Sequence, residues 1–93
     1  MIRSFASKAT AEVLEGSGAR SLAPDIQDRV RWKLRMLNNA SVFQDLRIPP
    51  NNQLEKLSGK RSEQFSIRVN RQWRVCFRWD DGDAYDVEVV DYH

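Results

Sequence analysis

Hydrophobic residues in the first half of the chain recur at helical spacing. In the segment PDIQDRVRWKLRMLNNA, Ile26, Val30, Leu34 and Leu37 fall on one stripe, and Pro24 stands near the start, where its fixed φ suits a first helical turn. The segment SKATAEVLEG predicts a shorter helix, with a serine placed to cap its start and a glycine placed to end it. The pattern therefore predicts two helices in the N-terminal half, preceded by a short strand candidate, MIRSF.

Trp32 does not follow the apolar stripe of the longer helix. It lies on another side of that helix, between Arg31 and Arg35. A tryptophan in this position either covers a neighbouring element of the fold or marks a surface for a partner. The pattern leaves both interpretations open.

In the second half of the chain the period changes to two. After SVFQDLRIPPNN, a short helical turn ended by Pro49 and Pro50, the segments QFSIRVN and WRVCFRW alternate apolar with polar residues, as half-buried strands do. A turn around residues 71–72 joins them into a hairpin, and DDGD supplies the turn to a last strand, AYDVEVV. The alternation predicts Tyr85, Val87 and Val89 on the core face of that strand.

These elements predict a single α+β domain, residues 1–93, in which two N-terminal helices pack on one face of a small, mainly antiparallel sheet. No apolar run approaches the ~20 residues of a membrane span. The start, MIRSFASKAT, has no apolar region of a secretory signal, so we expect a cytoplasmic protein without membrane contact. The opposite sheet face is predicted to be polar and rich in cations, with Ser66, Arg68, Arg74, Arg78, Asp86 and Glu88.

The net charge of +2 conceals an uneven distribution. Residues 47–78 carry eight Lys or Arg residues against two acidic ones, whereas residues 79–93 carry six acidic residues and no Lys or Arg. A basic block of this kind attracts polyanions such as nucleic acid. Acidic and basic strands that pair within one sheet produce the same distribution, so charge alone does not decide between the two.

The inventory of reactive side chains is small. Cys76 is the only cysteine and His93 the only histidine, and one of each offers no recognisable metal spacing, so we expect neither a metal nor a cofactor. Arginines, carboxylates, a tyrosine and a histidine suffice for metal-free RNA cleavage. In that reaction a base takes the proton of the attacking 2′-hydroxyl, an acid protonates the departing 5′-oxygen, and cations stabilise the phosphoryl oxygens.

The pieces LEKLSGKR, FSIRVNRQWRVCF and the closing VVDYH resemble the HigB-type toxins of the RelE/ParE superfamily, and the resemblance spans nearly the whole chain. It implies a RelE-like fold and a ribosome-dependent endoribonuclease, which cuts mRNA in the decoding site and lowers protein synthesis. It also implies a cognate helix-turn-helix antitoxin, HigA-like, through which the toxin would contact operator DNA.

The resemblance implies site residues as well. Asp91, Tyr92 and His93 match the functional C-terminal motif of the family, and Arg74 matches an arginine that would hold the scissile phosphate. Several relatives carry a histidine and a lysine where Glu55 and Ser58 stand here, so Glu55 is a candidate base. The candidate contacts to RNA or the ribosome are Lys56, Lys60, Arg61, Arg68 and Arg78. Arg68 and Arg78 are equally expected to pair across strands with acidic residues.

Two other functions remain open at this point. One is a binding module that blocks its target without chemistry, as a gyrase-inhibiting member of the superfamily would. The other is a ribosome- or RNA-binding domain whose active site has decayed, which the missing histidine and lysine permit. The closing DYH favours the nuclease, because a blocker has no evident need for it.

Overall fold

The computed structural model of the protein describes residues 1–16, 18 and 22–91. It confirms both predicted helices, α1 (Lys8–Glu15) and α2 (Pro24–Asn39). The hydroxyl of Ser7 accepts from the first turn of α1, and Gly16 ends that helix with a φ of 90°, a left-handed conformation that favours glycine. No helix among the described residues is long and apolar enough to cross a bilayer.

The sheet consists of four strands within the described part of the chain: β1 (Glu55–Lys56), β2 (Phe65–Arg68), β3 (Trp73–Asp80) and β4 (Asp83–Asp91). They lie in sequence order, and each pairs antiparallel with the next. The predicted α+β class is therefore confirmed. The segment MIRSF contributes only isolated parallel bridges to β4, rather than a strand. The two-residue strand β1 was not predicted from the sequence.

The core lies between the helices and one face of the sheet. The predicted apolar stripe of α2 is buried, and it packs against the alternate residues of the strands that face the helices. The fully buried members from the sheet are Ile67, Val75, Phe77, Ala84 and Val87. Burying large apolar side chains contributes on the order of 1.5–3 kcal/mol for each, so this layer is the main source of stability.

A bulge changes the alternation in β4. Cys76 pairs with Glu88 and Arg78 pairs with Tyr85, so one residue of β3 stands opposite two of β4, and Asp86 takes a φ of 54°. Tyr85 consequently shares the sheet face of Arg78. The prediction that Tyr85 faces the core was wrong, because simple alternation does not anticipate an inserted residue.

The second face of the sheet is polar, as predicted, but it is not open at its centre. Ser66 and Cys76 are fully buried and Arg74 is only 7% exposed. The segment before β2 covers part of this face, because the carbonyl of Gln53 contacts Arg74 and the side chain of Arg61 reaches Glu88 on β4. Four of the predicted site residues lie on this polar face: Glu55, Arg61, Arg68 and Arg74.

Candidate active site

Arg74 is held in one orientation by groups from three other residues. Its Nε donates to the hydroxyl of Ser66 over 2.7 Å, and its Nη2 donates to the carbonyl oxygen of Gln53 over 2.6 Å. The carboxylate of Glu55 lies 3.7 Å from Nη2. Gln53 adopts a φ of 44°, and this left-handed conformation belongs to the turn that carries its carbonyl to Arg74. The guanidinium group is therefore fixed before any ligand arrives.

Arg74 borders a cavity of about 410 Å³, which we call the arginine cavity. Gln53, Arg68, Asn70, Arg71 and Arg74 line it. Among these residues three carry a guanidinium group and none carries a carboxylate. Guanidinium groups bind phosphate oxygens through paired donors, so the cavity is suited to a phosphate diester.

The hairpin turn that carries two of these arginines is rigidly built. The side-chain oxygen of Asn70 accepts from the backbone N–H groups of Gln72 and Trp73 at 2.9 and 2.8 Å. The Nε of Arg68 donates to the carbonyl oxygen of Asn70 over 3.1 Å. These bonds close the turn and present Arg68 and Arg71 on the same side as the cavity.

Opposite residues on the four strands form one row across this face. Glu55 pairs with Ser66, Ser66 with Cys76, and Cys76 with Glu88. Arg61 completes the row, because its Nη2 lies 3.0 Å from a carboxylate oxygen of Glu88. The strand register therefore places Glu55 on the same face as Arg74. The ion pair with Glu88 places Arg61 on that face too.

Cys76 lies in the middle of this row as a buried thiol. Burial raises its pKa, and the nearby Arg61, Glu88 and Arg74 charges partly cancel one another. A raised pKa keeps the sulfur protonated at neutral pH, which makes it a poor nucleophile. Cys76 is therefore unsuited to nucleophilic chemistry at this site.

Arg78 lies apart from the arginine cavity. It is four residues beyond Arg74 in β3, about 13 Å along the strand. Its Nε lies 2.7 Å from the carboxylate of Asp86, and its guanidinium group lies 5.4 Å from the ring centre of Tyr85. The hydrogen bond to Asp86 raises the pKa of Arg78. The expected pairing across strands is confirmed for this arginine.

The two lysines of the predicted set are exposed rather than placed in the cavity. Lys56 pairs with Phe65 and so has the opposite parity to Glu55 in β1. Lys60 lies in the turn Gly59–Arg61. Both ammonium groups are open to solvent at the margin of the sheet, where an extended polyanion can reach them.

Asp91 is not brought to the face of the arginine cavity. It pairs with Trp73, whose side chain faces the helices, and its Oδ2 accepts from the side-chain amide of Gln72 over 3.1 Å. Tyr92 and His93, the two other members of the predicted C-terminal motif, lie outside the described residues.

A second depression adjoins the arginine cavity. This open groove of about 810 Å³, which we call the tryptophan groove, lies between α2 and the β2–β3 turn. Helix α2 contributes Arg29, Trp32 and Lys33, and the turn contributes Arg68 and Arg71, which also line the arginine cavity. Trp32 is 64% exposed, so it does not cover a neighbouring element of the fold.

Lys33 connects the groove to the loop beneath it. Its Nζ donates to the side-chain oxygen of Asn52, which is fully buried. Partial burial lowers the pKa of Lys33. The amide nitrogen of Asn52 donates to the carbonyl oxygens of Leu46 and Ile48 at 3.1 and 3.3 Å. This network holds the segment before β1 against α2.

Sequence reasoning missed three residues of the arginine cavity: Gln53, Asn70 and Arg71. The pattern predicts Arg71 only as part of a connection, and it predicts Asn70 as the last residue of the strand QFSIRVN, whereas β2 ends at Arg68. Gln53 acts through its backbone carbonyl, which no side-chain pattern reveals. The cluster of arginines at positions 68, 71 and 74 was the available signal, since a tight turn brings its two flanks together.

Residues 3–93 match a family model described as "RelE-like toxin of type II toxin-antitoxin system HigB". The chain belongs to this family. The resemblance drawn from LEKLSGKR, FSIRVNRQWRVCF and VVDYH is thereby confirmed. A toxin of a type II system has an antitoxin as its partner, which confirms that part of the expected interactions.

Two named relatives support this membership. A protein of Vibrio cholerae serotype O1, named Toxin HigB-1, is 43% identical over 65 residues, which cover 70% of this chain and 68% of that one. A protein of Proteus vulgaris, named Endoribonuclease HigB, is 31% identical over 96 aligned positions and covers all of both chains. The second name agrees with the expectation of an RNA-cleaving enzyme.

Solved structures support the fold. YafQ from E. coli strain BL21(DE3) superimposes with a TM-score of 0.61 at 12% identity, covering 98% of this chain and 91% of that one. A mutant of E. coli YafQ gives a TM-score of 0.62 with the same identity and coverage.

Proposed function

We propose that this toxin is a ribosome-dependent endoribonuclease that cleaves mRNA in the decoding site and so inhibits translation. The observation that carries the proposal is the arginine cavity, in which Arg74 is fixed by Ser66 and Gln53 beside two further guanidinium groups. The name of the Proteus vulgaris relative supports the same reaction.

In the proposed reaction the scissile phosphate lies in the arginine cavity. The 2′-oxygen forms a bond to phosphorus as a base removes its proton, and the bond from phosphorus to the 5′-oxygen breaks as that oxygen gains a proton. Arg74 stabilises the charge that develops on the phosphoryl oxygens, with Arg68 and Arg71 beside it. Because Arg74 is already oriented, little reorganisation opposes this step.

Glu55 and His93 are the groups to which we assign proton transfer. Glu55 lies beside Arg74, 3.7 Å from its Nη2, and its carboxylate would take the place of the histidine that several relatives carry. A histidine has an unperturbed pKa of about 6.5, which suits either role near neutral pH. Tyr92 would orient the phosphate or stack on a base, and Asp91 would anchor the end of β4 through Gln72.

The exposed cations provide contacts with the ribosome. Lys56 and Lys60 lie at the sheet margin, and Arg61 and Arg78 extend the basic surface although each is paired with a carboxylate. Ribosomal RNA would supply the phosphates for these residues, while Arg68 contacts the mRNA. Contacts of this kind explain why the mRNA would be cut only when the ribosome positions it.

The proposal also specifies the partner and the compartment. The antitoxin would be a HigA-like helix-turn-helix protein, and operator DNA would be bound only through it. The toxin would act in the cytoplasm, where ribosomes translate.

Primer extension on a defined mRNA in a purified translation system tests the reaction. We expect cuts within the ribosome-protected codons with the intact protein, and about 100- to 1,000-fold slower cutting with Arg74→Gln. Arg35→Gln, an exposed arginine of α2 outside the cavity, is the matched control and should cut normally. The absence of any cuts, with inhibition in a gyrase supercoiling assay instead, would replace the nuclease with a blocking module.

A further inference from the structure

The tryptophan groove has a composition that the reaction itself does not require. Its wall on α2 presents Trp32, 64% exposed, with Arg29 beside it. Its other wall is the turn with Arg68 and Arg71. A large aromatic face kept in water is unusual in a folded domain and is typical of a binding surface.

The charges of the groove favour an anionic occupant. Arg29, Arg68 and Arg71 make no ion pair with any carboxylate in the described part of the chain. The carboxylate of Asp28, which also lines the groove, lies 3.0 Å from Arg31, so its charge is already compensated by a residue outside the groove. The groove therefore offers uncompensated cations around an aromatic ring.

The groove is continuous with the site of the proposed reaction. Arg68, Asn70 and Arg71 line both the tryptophan groove and the arginine cavity. An RNA strand whose scissile phosphate lies in the arginine cavity would therefore extend directly into the tryptophan groove. The volume of about 810 Å³ is in the range of ~300–1,000 Å³ that ligand sites occupy.

We propose that the tryptophan groove binds the single-stranded RNA next to the scissile phosphate, with one base stacked on Trp32 and the flanking phosphates on Arg29 and Arg71. Stacking on an aromatic side chain together with a cationic track is the usual means of holding a single strand without reading its sequence. This inference rests on the proposed function, because the endoribonuclease reaction defines which strand enters. Trp32 acts here as a positioning residue, since it does not touch the reacting atoms.

The binding test uses the isolated protein and a fluorescein-labelled RNA hexanucleotide with 2′-O-methyl riboses, which cannot be cleaved. Anisotropy should show Trp32→Ala binding about tenfold more weakly than the parent protein, and Trp32→Phe recovering most of the loss. Trp32→Leu keeps an apolar side chain without a ring face and should not recover it. Arg29→Gln should weaken RNA binding and make the affinity depend less on the salt concentration, because one phosphate contact is lost. Arg35→Gln on the same helix should bind like the parent protein.

The cleavage test uses ribosome complexes on a defined mRNA. Trp32→Ala should raise the KM severalfold with kcat nearly unchanged, because stacking holds the substrate equally in the ground state and the transition state. The melting temperature should stay the same, since Trp32 is mostly exposed; a lower melting temperature with normal KM would make Trp32 a structural residue and overturn the inference.

The outcomes separate this inference from the proposed function. If the parent protein cleaves and Trp32→Ala and Arg29→Gln match Arg35→Gln in both assays, the groove inference is wrong and the nuclease stands. If the parent protein does not cleave mRNA on ribosomes, the proposed function is wrong. The hexanucleotide binding test then decides by itself whether the groove binds RNA. If both variants lose capture of the antitoxin but keep RNA binding, the groove belongs to the antitoxin and the inference is overturned.

Discussion

The Nε of Arg74 donates to the hydroxyl of Ser66 across the β2–β3 pair, over 2.7 Å. The same guanidinium group reaches Gln53 on the segment before β1, so one side chain links the sheet to the loop that covers it. Removing it has two separable consequences, one for the chemistry and one for the fold.

Arg74→Lys keeps the charge but loses the paired donors of the guanidinium group. We expect the cleavage rate to fall at least about 100-fold, because a point charge cannot both hold Ser66 and Gln53 and contact the phosphate. The free energy of unfolding should fall by about 1–3 kcal/mol, because buried partners lose their hydrogen bonds. Single-turnover cleavage and urea denaturation measure the two effects. Normal cleavage by Arg74→Lys would show that charge alone is enough.

Glu55→Gln tests whether the carboxylate beside Arg74 moves a proton. We expect cleavage to slow about 100-fold while RNA binding is kept, because an amide cannot accept the proton of the 2′-hydroxyl. Glu63→Gln, an exposed carboxylate of the same region, serves as the control and should cleave at the parental rate. Equal rates for the two variants would leave Glu55 as a group that only orients Arg74.

Asn52→Ala should destabilise the protein by about 1–3 kcal/mol, because the carbonyl groups of Leu46, which is buried, and of Ile48 lose their donor. Asn51→Ala changes an exposed neighbour with the same side chain and should cost much less. Urea denaturation of both variants gives the comparison. Similar losses would mean that the amide network does not hold the loop.

Asp83 predicts a pH dependence of stability at the β3–β4 turn. Desolvation acts to raise its pKa, but hydrogen bonds and charges from Arg3 and the Met1 ammonium group outweigh it and lower the pKa. A carboxylate with a lowered folded-state pKa stabilises the fold above the unfolded-state value of about 3.9, and this contribution disappears as the pH falls through the folded-state pKa.

Asp83→Asn should therefore be less stable than the parent at about pH 7, and the difference should vanish toward about pH 2. Thermal unfolding across this range measures it. Asp81→Asn is the control, because Asp81 is exposed in the same turn and makes no ion pair among the described residues. A difference between Asp83→Asn and the parent that persists at low pH would refute the assignment.

His93→Ala tests the end of the predicted motif. We expect cleavage in the decoding site to slow by about 100-fold or more, as removal of a general acid or base does. Tyr92→Phe keeps the ring and should retain a larger share of the activity if Tyr92 stacks on a base. Unchanged cutting by His93→Ala would shift proton transfer to Glu55 or to groups of the arginine cavity.

Local patterns were sufficient to predict most of the fold. The stripe of α2 and the turn at Asp81 and Gly82 follow from short-range rules, because helical spacing and a two-residue turn need only neighbouring residues. Both turn residues adopt a positive φ, as a tight hairpin connection requires. The bulge at Asp86 was not predictable, since it depends on packing against the partner strand.

The candidate site was predicted in its residue types more than in its arrangement. Alternation assigns Arg74 and Ser66 to one face but does not say whether that face is covered. The cover comes from the segment around Gln53 and Glu55, which a two-residue strand attaches to β2. Such short pairing leaves no periodic signal, so the burial of Arg74 becomes evident only in three dimensions.

The proposed function is tested most directly by the rate at which one mRNA is cut with and without translating ribosomes, at equal toxin concentration. We expect rapid cutting within the decoding site and barely detectable cutting of the free RNA, because the ribosome would complete the positioning that the arginine cavity begins. Similar rapid rates on free and ribosome-bound mRNA would contradict it.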